Sequence, residues 1–216
     1  MDNIKVSICC QVYNHGRYLK RCLDGLVSQK TDFQYEILVH DDASTDSSQK
    51  IIQEYEKRFP DIIKPIYQSE NRYSKGVWIG FAYQYPRAKG KYIALCEGDD
   101  YWTDENKLQK QYMEMEKNPG CSMSTHLVLG VNENGEMNKA KFPKNNFKQG
   151  VIQSDDLLKY ILTKDSYPFH TSSFFFRGDF IREILEEDNR PHFMNLTKSG
   201  DMAYILYMAT KGNIYY

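Results

Sequence analysis

Long apolar runs are missing from this sequence: the most apolar stretches, such as Val6–Cys10, fall far short of the roughly 18–20 residues that a hydrocarbon-spanning helix needs. The N-terminus likewise carries no apolar secretion-signal core, so a soluble chain is expected. Charge of one sign is not in excess either. Lys and Arg number 28 against 29 Asp and Glu, a net charge of -1, which removes any global attraction to nucleic acid or an anionic surface. Any phosphate site must be local, and no nucleic-acid partner is expected. Cysteine is sparse, five residues at neither disulfide-framework nor metal-type spacing, which predicts reduced core thiols in a cytosolic setting. No H-x-x-x-H or C-x-x-C spacing occurs, so a zinc site is not expected. Repeats, low-complexity tracts and linkers are absent as well, and 216 residues then read as one domain.

What is present is strand–helix alternation. Ile4–Val12 is apolar, β-branched and too short for a typical helix, the mark of a strand buried on both faces. After the polar turn Tyr13–Gly16, Leu19, Cys22, Leu23, Leu26 and Val27 recur at helical spacing. The pattern repeats as strand Tyr35–His40, turn Asp41–Asp46 and a helix carrying Ile51, Ile52, Tyr55 and Phe59 before Pro60. A third strand is expected over Ile62–Tyr67, a short helix over Val77–Tyr85, and a fourth strand over Tyr92–Cys96. Asp104 then caps a helix bearing Leu108, Tyr112 and Met115. Beyond Cys121 the spacing predicts a strand over Met123–Val131, a turn at Asn132–Gly135, a polar loop over Ala140–Gly150 and a strand over Ser172–Phe176. Helices are expected at Ser154–Leu162, Asp179–Leu185 and Gly200–Lys211. Asn213–Tyr216 reads as a strand cut short by an early stop of the chain. Four alternations predict an α/β, Rossmann-like, mostly parallel sheet with helices on both faces, completed by an irregular lobe.

In such sheets ligands bind beyond the carboxyl ends of the strands. Tyr13-Asn14, Asp41-Asp42 and Glu97-Gly98-Asp99-Asp100 all fall there, so segments remote in sequence should meet in one crevice. Carboxylates crowded on one tight loop repel one another unless a cation offsets them, and oxygen ligands suit Mg²⁺ or Mn²⁺. The plain alternative for both acidic pairs is helix capping. Tyr13 offers a ring for stacking on a nucleobase, or is simply core. Arg72 and Lys75 are cations able to neutralise phosphate, or solvated surface. His170, at the mouth of an apolar strand, is a phosphate or sugar contact, or a structural histidine.

The strings VSICCQVYN, EILVHDDASTD and AKGKYIALCEGDDYW, in that order, resemble the nucleotide-sugar-dependent glycosyltransferases of family 2, which have the GT-A fold. The resemblance implies one catalytic domain over 1–216, with a nucleotide-sugar-binding half over about 1–118 and an acceptor-binding half over about 119–216. It implies that Tyr13 stacks on the donor base, with Asn14, Asp42, Arg72, Lys75 and Asp99 as further donor contacts. Asp100, with Asp99, would hold Mg²⁺ or Mn²⁺. Glu97, Trp102 and His170 would lie on the acceptor or sugar side. Ser199-Gly200-Asp201, before an apolar helix, is similar to the family's late Gly-Asp motif, which makes Asp201 the catalytic base.

The activity so implied is inverting, metal-dependent transfer of a sugar from a nucleotide diphosphate donor, a UDP-sugar, to a hydroxyl of a glycan or lipid-linked acceptor. Its setting would be bacterial cell-surface polysaccharide synthesis, cytoplasmic and peripheral at the inner face of the membrane. Two other readings stay open: a nucleotide-sugar-binding module without catalysis, and a sugar nucleotidyltransferase. The latter normally has a Gly-rich basic loop after the first strand, and Tyr13-Asn14-His15-Gly16 does not supply one.

Overall fold

A computed structural model describes residues 4–144, 147–164, 168–186, 189–197 and 199–216, the side chain of Lys164 excepted. In chain order the elements are β1 (Ile4–Val12), α1 (Leu19–Val27), β2 (Gln34–Asp41), α2 (Ser48–Arg58), β3 (Ile66–Tyr67), β4 (Tyr92–Leu95) and α3 (Lys107–Lys117). There follow β5 (Cys121–Ser124), β6 (Val128–Val131), β7 (Met137–Phe142), β8 (Val151–Ile152), α4 (Ser154–Lys164) and β9 (Phe175–Arg177). The last are α5 (Gly178–Glu183), α6 (Phe193–Leu196), α7 (Gly200–Lys211) and β10 (Asn213–Tyr215).

The main sheet runs β3-β2-β1-β4-β9-β5-β10-β8. The pairs among β3, β2, β1 and β4 are parallel, as is β5 with β10, while β9 lies antiparallel between β4 and β5 and β8 antiparallel on β10. The α/β, mostly parallel architecture expected from the alternation is therefore present. Successive residues of one strand enter opposite layers, as the two-residue period demands. Val6, Ile8, Cys10 and Val12 of β1, Ile37 and Val39 of β2, Tyr92 and Ala94 of β4 and Phe175 of β9 pack with Leu19, Leu23, Leu26, Ile52, Tyr55, Leu108 and Met115 of α1, α2 and α3. Cys9, Leu38, Ile93, Leu95, Phe174 and Phe176 pack the other way, onto Phe81, Tyr85, Leu157, Ile181 and the Ala203, Tyr204, Ile205 and Met208 stretch of α7. Each fully buried Leu, Ile or Phe contributes about 1.5–3 kcal/mol, so these two layers dominate stability.

A buried polar strut ties the parallel strands together. Ser7 Oγ donates to Glu36 Oε1 (2.6 Å), which also accepts the backbone N–H of Lys89 (2.9 Å), while Gly90 N–H donates to Ser7 Oγ (2.9 Å). The turn that leads into β4 is thereby pinned to β1 and β2.

Several expectations need correction. The strand expected over Ile62–Tyr67 shortens to Ile66–Tyr67 plus an isolated bridge between Ile37 and Ile63. Val77–Tyr85 makes a wide π turn at Gly80–Gln84 and then a 3₁₀ turn at Tyr85–Arg87, because Pro86 has no N–H to continue an α-helix. Asp104 is not a side-chain cap of α3: its Oδ1 accepts Asn106 N–H (2.9 Å), its Oδ2 meets Lys110 (2.6 Å), and the helix begins at Lys107. The single strand over Met123–Val131 is two. The chain leaves the sheet after β5, and β6 pairs with β7 in a separate hairpin. That hairpin takes up the start of the expected loop over 140–150. Its tip reaches back to the first loop through Arg17 and Glu133 (2.7 Å). The apolar strand near 172–176 starts at Phe175, after a 3₁₀ turn at Thr171–Ser173. Among the described residues no helix is long and apolar enough to cross a membrane.

Candidate functional site

Register explains why three loops meet. Val12 of β1 pairs with Asp41 of β2 and Cys9 with Leu95 of β4, all in parallel, so the three chains leave the sheet side by side. The pairing continues past the strands: Asp42 N–H donates to Val12 O (2.9 Å), Cys96 N–H to Cys9 O (3.1 Å) and Gly98 N–H to Gln11 O (2.9 Å). A Cβ on Gly98 would stand 2.8 Å from His15 Nδ1 and 3.0 Å from Val12 Cγ2, so glycine lets the acidic loop settle directly on β1.

The first two loops are laced together by side chains. Asn14, in the left-handed region at φ 56°, accepts Thr45 N–H through Oδ1 (2.8 Å) and donates its own N–H to Ser44 Oγ (2.9 Å). Asp46 accepts Gly16 N–H (2.8 Å) and Ser48 N–H (2.9 Å), which fixes the start of α2. Tyr13 stands out from this frame with 45% of its surface exposed. Asp41 is buried; its Oδ2 accepts from Gln49 Nε2 (2.7 Å) and Ser44 N–H (3.1 Å), while its Oδ1 is buried without a hydrogen-bond partner. Asp42 is buried too. Its Oδ1 accepts Arg72 N–H (2.8 Å) and stands 3.6 Å from His40 Nε2, and its Oδ2 accepts Tyr73 N–H (2.9 Å), which leaves Oδ2 one further lone pair. The side chains of Arg72 (2.6 Å) and Lys75 both pair with Glu70.

On the third loop Glu97, Asp99 and Asp100 each bring a carboxylate oxygen within 4.8 Å of the others. Glu97 is exposed at the crevice, where partial loss of water around its carboxyl, then the charges of Asp201, Asp99 and Asp100, push it up to about 8. Burial raises Asp100 as well, against the pull of His170, and its Oδ2 is buried without a hydrogen-bond partner. His170 arrives from the antiparallel side, just before the turn into β9, with Nδ1 3.6 Å from Asp100 Oδ2 and 3.0 Å from Ser172 Oγ. Asp201 lies in the first turn of α7, behind an N-cap in which Ser199 Oγ accepts Met202 N–H (3.4 Å). Its charge acts on Glu97 and on the phenols of Tyr85 and Tyr204, which burial pushes up and which share a 2.8 Å hydrogen bond. Trp102 is largely buried, donates Nε1–H to Ser172 O (2.9 Å) and carries the Lys107 ammonium 3.6 Å above its ring.

Of the residues expected at the site, Glu97, Asp99, Asp100, His170 and Asp201 thus act on one another across three segments, and Tyr13, Asn14 and Asp42 frame the adjoining loops. Arg72 and Lys75 are turned to Glu70. Sequence reasoning passed over His15, whose Nε2 lies 4.0 Å from Asp99 Oδ2 and whose Nδ1 is buried without a partner. Its place in the Tyr13–Gly16 loop, facing an acidic loop, was the available signal. Chemically, the arrangement offers oxygen donors for a hard cation, an exposed ring for stacking and, at the start of α7, a further carboxylate whose charge is felt at Glu97.

The family model described as glycosyl transferase family 2 matches residues 7–185. An uncharacterized protein of Mycobacterium tuberculosis is 40% identical over 138 residues, 64% of this chain and 39% of its own. A poly(ribitol-phosphate) beta-glucosyltransferase of Bacillus spizizenii is 32% identical over 147 residues, 68% of this chain and 22% of its own. The chain therefore spans well under two thirds of the length of these relatives. Among solved structures, residues 1–349 of TarS from S. aureus superpose with a TM-score of 0.71 at 18% identity, covering 98% of this chain and 57% of that one. The same fragment is also known in complex with UDP-GlcNAc, with a TM-score of 0.66 over 98% of this chain and 56% of that one.

Proposed function

The chain is a member of glycosyl transferase family 2, and from that premise we propose that it transfers a sugar from a UDP-sugar to a hydroxyl of a glycan or lipid-linked acceptor, with inversion at the anomeric carbon. The setting proposed is synthesis of a bacterial cell-surface polysaccharide, on the cytoplasmic side and peripheral to the membrane. What carries the reading is the grouping of Glu97, Asp99 and Asp100 on one loop, where Glu97 also feels the charge of Asp201 from the start of α7.

A divalent ion, Mg²⁺ or Mn²⁺, fits this cluster on two counts. Three carboxylates stand together, and Asp100 keeps a buried oxygen with no partner; an all-oxygen donor set is what such hard ions take. Asp100 with Asp99 would hold it, with Glu97 of the same loop a further candidate. What a bound ion supplies is Lewis-acid neutralisation of the charge that collects on the departing diphosphate.

The chain's own residues divide the remaining work. Tyr13 stacks on the base, a contact typically worth roughly 1–3 kcal/mol. Asp42 uses the remaining lone pair of Oδ2 for the base while holding the 72–76 segment, and Asp99 faces the ribose or sugar. Arg72 and Lys75 reach the diphosphate on leaving Glu70. Asp201 takes the proton from the acceptor hydroxyl at its carboxylate as that oxygen attacks the anomeric carbon, a contribution of about 10²–10⁴-fold. His170 orients Asp100, and Trp102 and Glu97 border the space for the incoming sugar. The reading is tested by thermal unfolding with UDP and Mn²⁺. A ligand selective for the folded state raises its apparent stability, so UDP should raise the midpoint only when Mn²⁺ is present, and Asp100→Ala should abolish the rise. No effect of UDP with Mn²⁺ on the intact protein would sink the reading.

A further inference from the structure

The histidine two residues before Asp42 is fully buried. A strand alternates its side chains, so His40 and Asp42 share one face of the sheet, while Asp41 turns to the other, where Gln49 of α2 meets it. The imidazole lies against the turn at Gly80–Gln84: its ring stacks on that of Tyr83, with centroids 4.9 Å apart and planes inclined by 30°. Both ring nitrogens are buried, and among the described residues neither has a hydrogen-bond partner. Buried polar side chains left in that state are exceptional. The approach that comes nearest to a bond is Nε2 to Asp42 Oδ1, at 3.6 Å.

The charged and titratable groups around the ring are Asp42, Asp41 and the Arg87 guanidinium, with the Tyr83 phenol stacked against it. Burial lowers the imidazole from its ordinary 6.5 against the pull of Asp42 and Asp41, so at pH 7 it is neutral and carries a single ring proton. Electrostatics decides where that proton sits. A lone pair on Nε2 would meet the Asp42 carboxylate with charge of the same sign, whereas an N–H meets it as a donor; the proton therefore belongs on Nε2. At 3.6 Å the bond is not made, and an approach of about 0.7 Å would make it. Asp42 is held from the other side by the N–H groups of Arg72 and Tyr73. A donor closing on Oδ1 from beneath would fix the plane of the carboxylate and with it the direction of the lone pair left on Oδ2.

We propose that His40 is a positioning residue for the nucleobase, its Nε2–H closing on Asp42 Oδ1 as an N–H of the base engages Oδ2. The proposal rests on the reading of Asp42 as a base contact. Calorimetry on the full chain tests it, with UDP and with inorganic pyrophosphate as ligands, each with Mn²⁺, for the wild type and for His40→Phe, His40→Gln and His40→Asn. Phenylalanine keeps a ring for Tyr83 without an N–H; the glutamine amide nitrogen reaches to the place of Nε2, and that of asparagine only to the place of Nδ1. His40→Phe should weaken UDP by about tenfold, His40→Gln should recover most of that loss, and His40→Asn should not. Pyrophosphate, which has no base, should bind all four proteins alike. If packing alone mattered, His40→Phe would be the mildest change and the order would invert. The proposal is overturned by that inverted order, by equal UDP affinity in all four proteins, or by a parallel loss of pyrophosphate. A second measurement needs no variant to fold. In the wild type at pH 7 the ¹⁵N spectrum of His40 should show the proton on Nε2 and a saturable shift of that resonance with UDP and Mn²⁺; a proton on Nδ1, or no shift, overturns the proposal as well. Thermal stabilisation of the wild type by UDP with Mn²⁺ separates the two levels. If it is present while the His40 tests fail, the positioning role alone falls; if it is missing, the base contact and the proposal fall together.

Discussion

Asp42 holds the backbone N–H of Tyr73 through Oδ2 at 2.9 Å, and with its other oxygen holds that of Arg72 at 2.8 Å. The carboxylate is 3% exposed, so both are charge-assisted bonds shielded from water. One side chain on the loop after β2 thereby anchors the segment that carries Arg72 and Lys75 at the crevice.

Asp42→Ala should therefore release that segment. The loss is about 2 kcal/mol of stability in urea, since hydrogen bonds to charged groups are worth about 1.5–3 kcal/mol each and water replaces part of them. Trypsin should cut after Arg72 and Lys75 in the variant well before it cuts the wild type. Equal resistance of the two proteins would show that the anchor lies elsewhere.

Glu97, pushed up to about 8, is protonated at pH 7, and a metal ligand must be ionised. Mn²⁺ binding at pH 7 should accordingly release close to one proton, read by calorimetry in buffers of different ionisation enthalpy. The apparent affinity should climb between pH 6 and 8 and level off above. In the metal-free protein the sign is opposite. A carboxyl raised from 4.5 binds more protons folded than unfolded, so its contribution is complete below about 4.5 and fades as pH rises toward 8. Binding with no proton release would remove Glu97 from the ligand set.

The frame of the site was legible because β1, β2 and β4 are short apolar runs ended by polar turns, and parallel pairing puts all three carboxyl ends together. The acidic loops at those ends could be placed before any coordinates. What escaped depends on packing between distant segments. The Asp42 clamp joins residues 30 and 31 positions apart, and nothing in a run of Asn71-Arg72-Tyr73-Ser74 announces it. The Met123–Val131 stretch looked like one strand because its residues suit any pleated surface, yet Ser124 ends the sheet pairing and Val128 pairs with Phe142 in a separate hairpin. Two-residue strands such as β8 have no period to detect. Lys107 and Gln111 are polar residues of α3 that carry no sign of burial in the sequence, and only the neighbouring Trp102, Ser124 and Ser173 make that face interior.

Asp201→Asn keeps the size and the helix start of the wild type but cannot take a proton. Transfer should fall by about 10²–10⁴-fold, the usual worth of a general base. Mn²⁺-dependent binding of UDP should stay within a few-fold, measured by calorimetry. Full turnover by this variant would mean that another group accepts the proton.

All five cysteines are buried and unpaired. Burial pushes the Cys9 thiol up, and hydrogen bonding with Cys10 and Cys96 together with burial raises Cys22. Since the thiolate is the reactive form, these groups should resist a thiol reagent in the native protein at pH 8 and react fully in denaturant. Rapid native labelling of even one would place that cysteine at the surface.

Lys107 is held down to about 7 by burial, against 10.5 for a free lysine. Between those values the unfolded chain carries the proton and the folded chain does not, so this residue makes stability rise with pH from about 7 upward; below 7 the whole cost of burying the charge is borne. Lys107→Met keeps the unbranched stem on Trp102 and removes the charge. The variant's advantage over wild type should be largest at pH 6 and shrink by on the order of 1 kcal/mol per pH unit between 7 and 9, followed by urea unfolding. Comparing the two proteins cancels the other titrating groups. Parallel stability curves over that range would show that the Lys107 ammonium is not desolvated by the fold, and that α3 turns this side chain toward water.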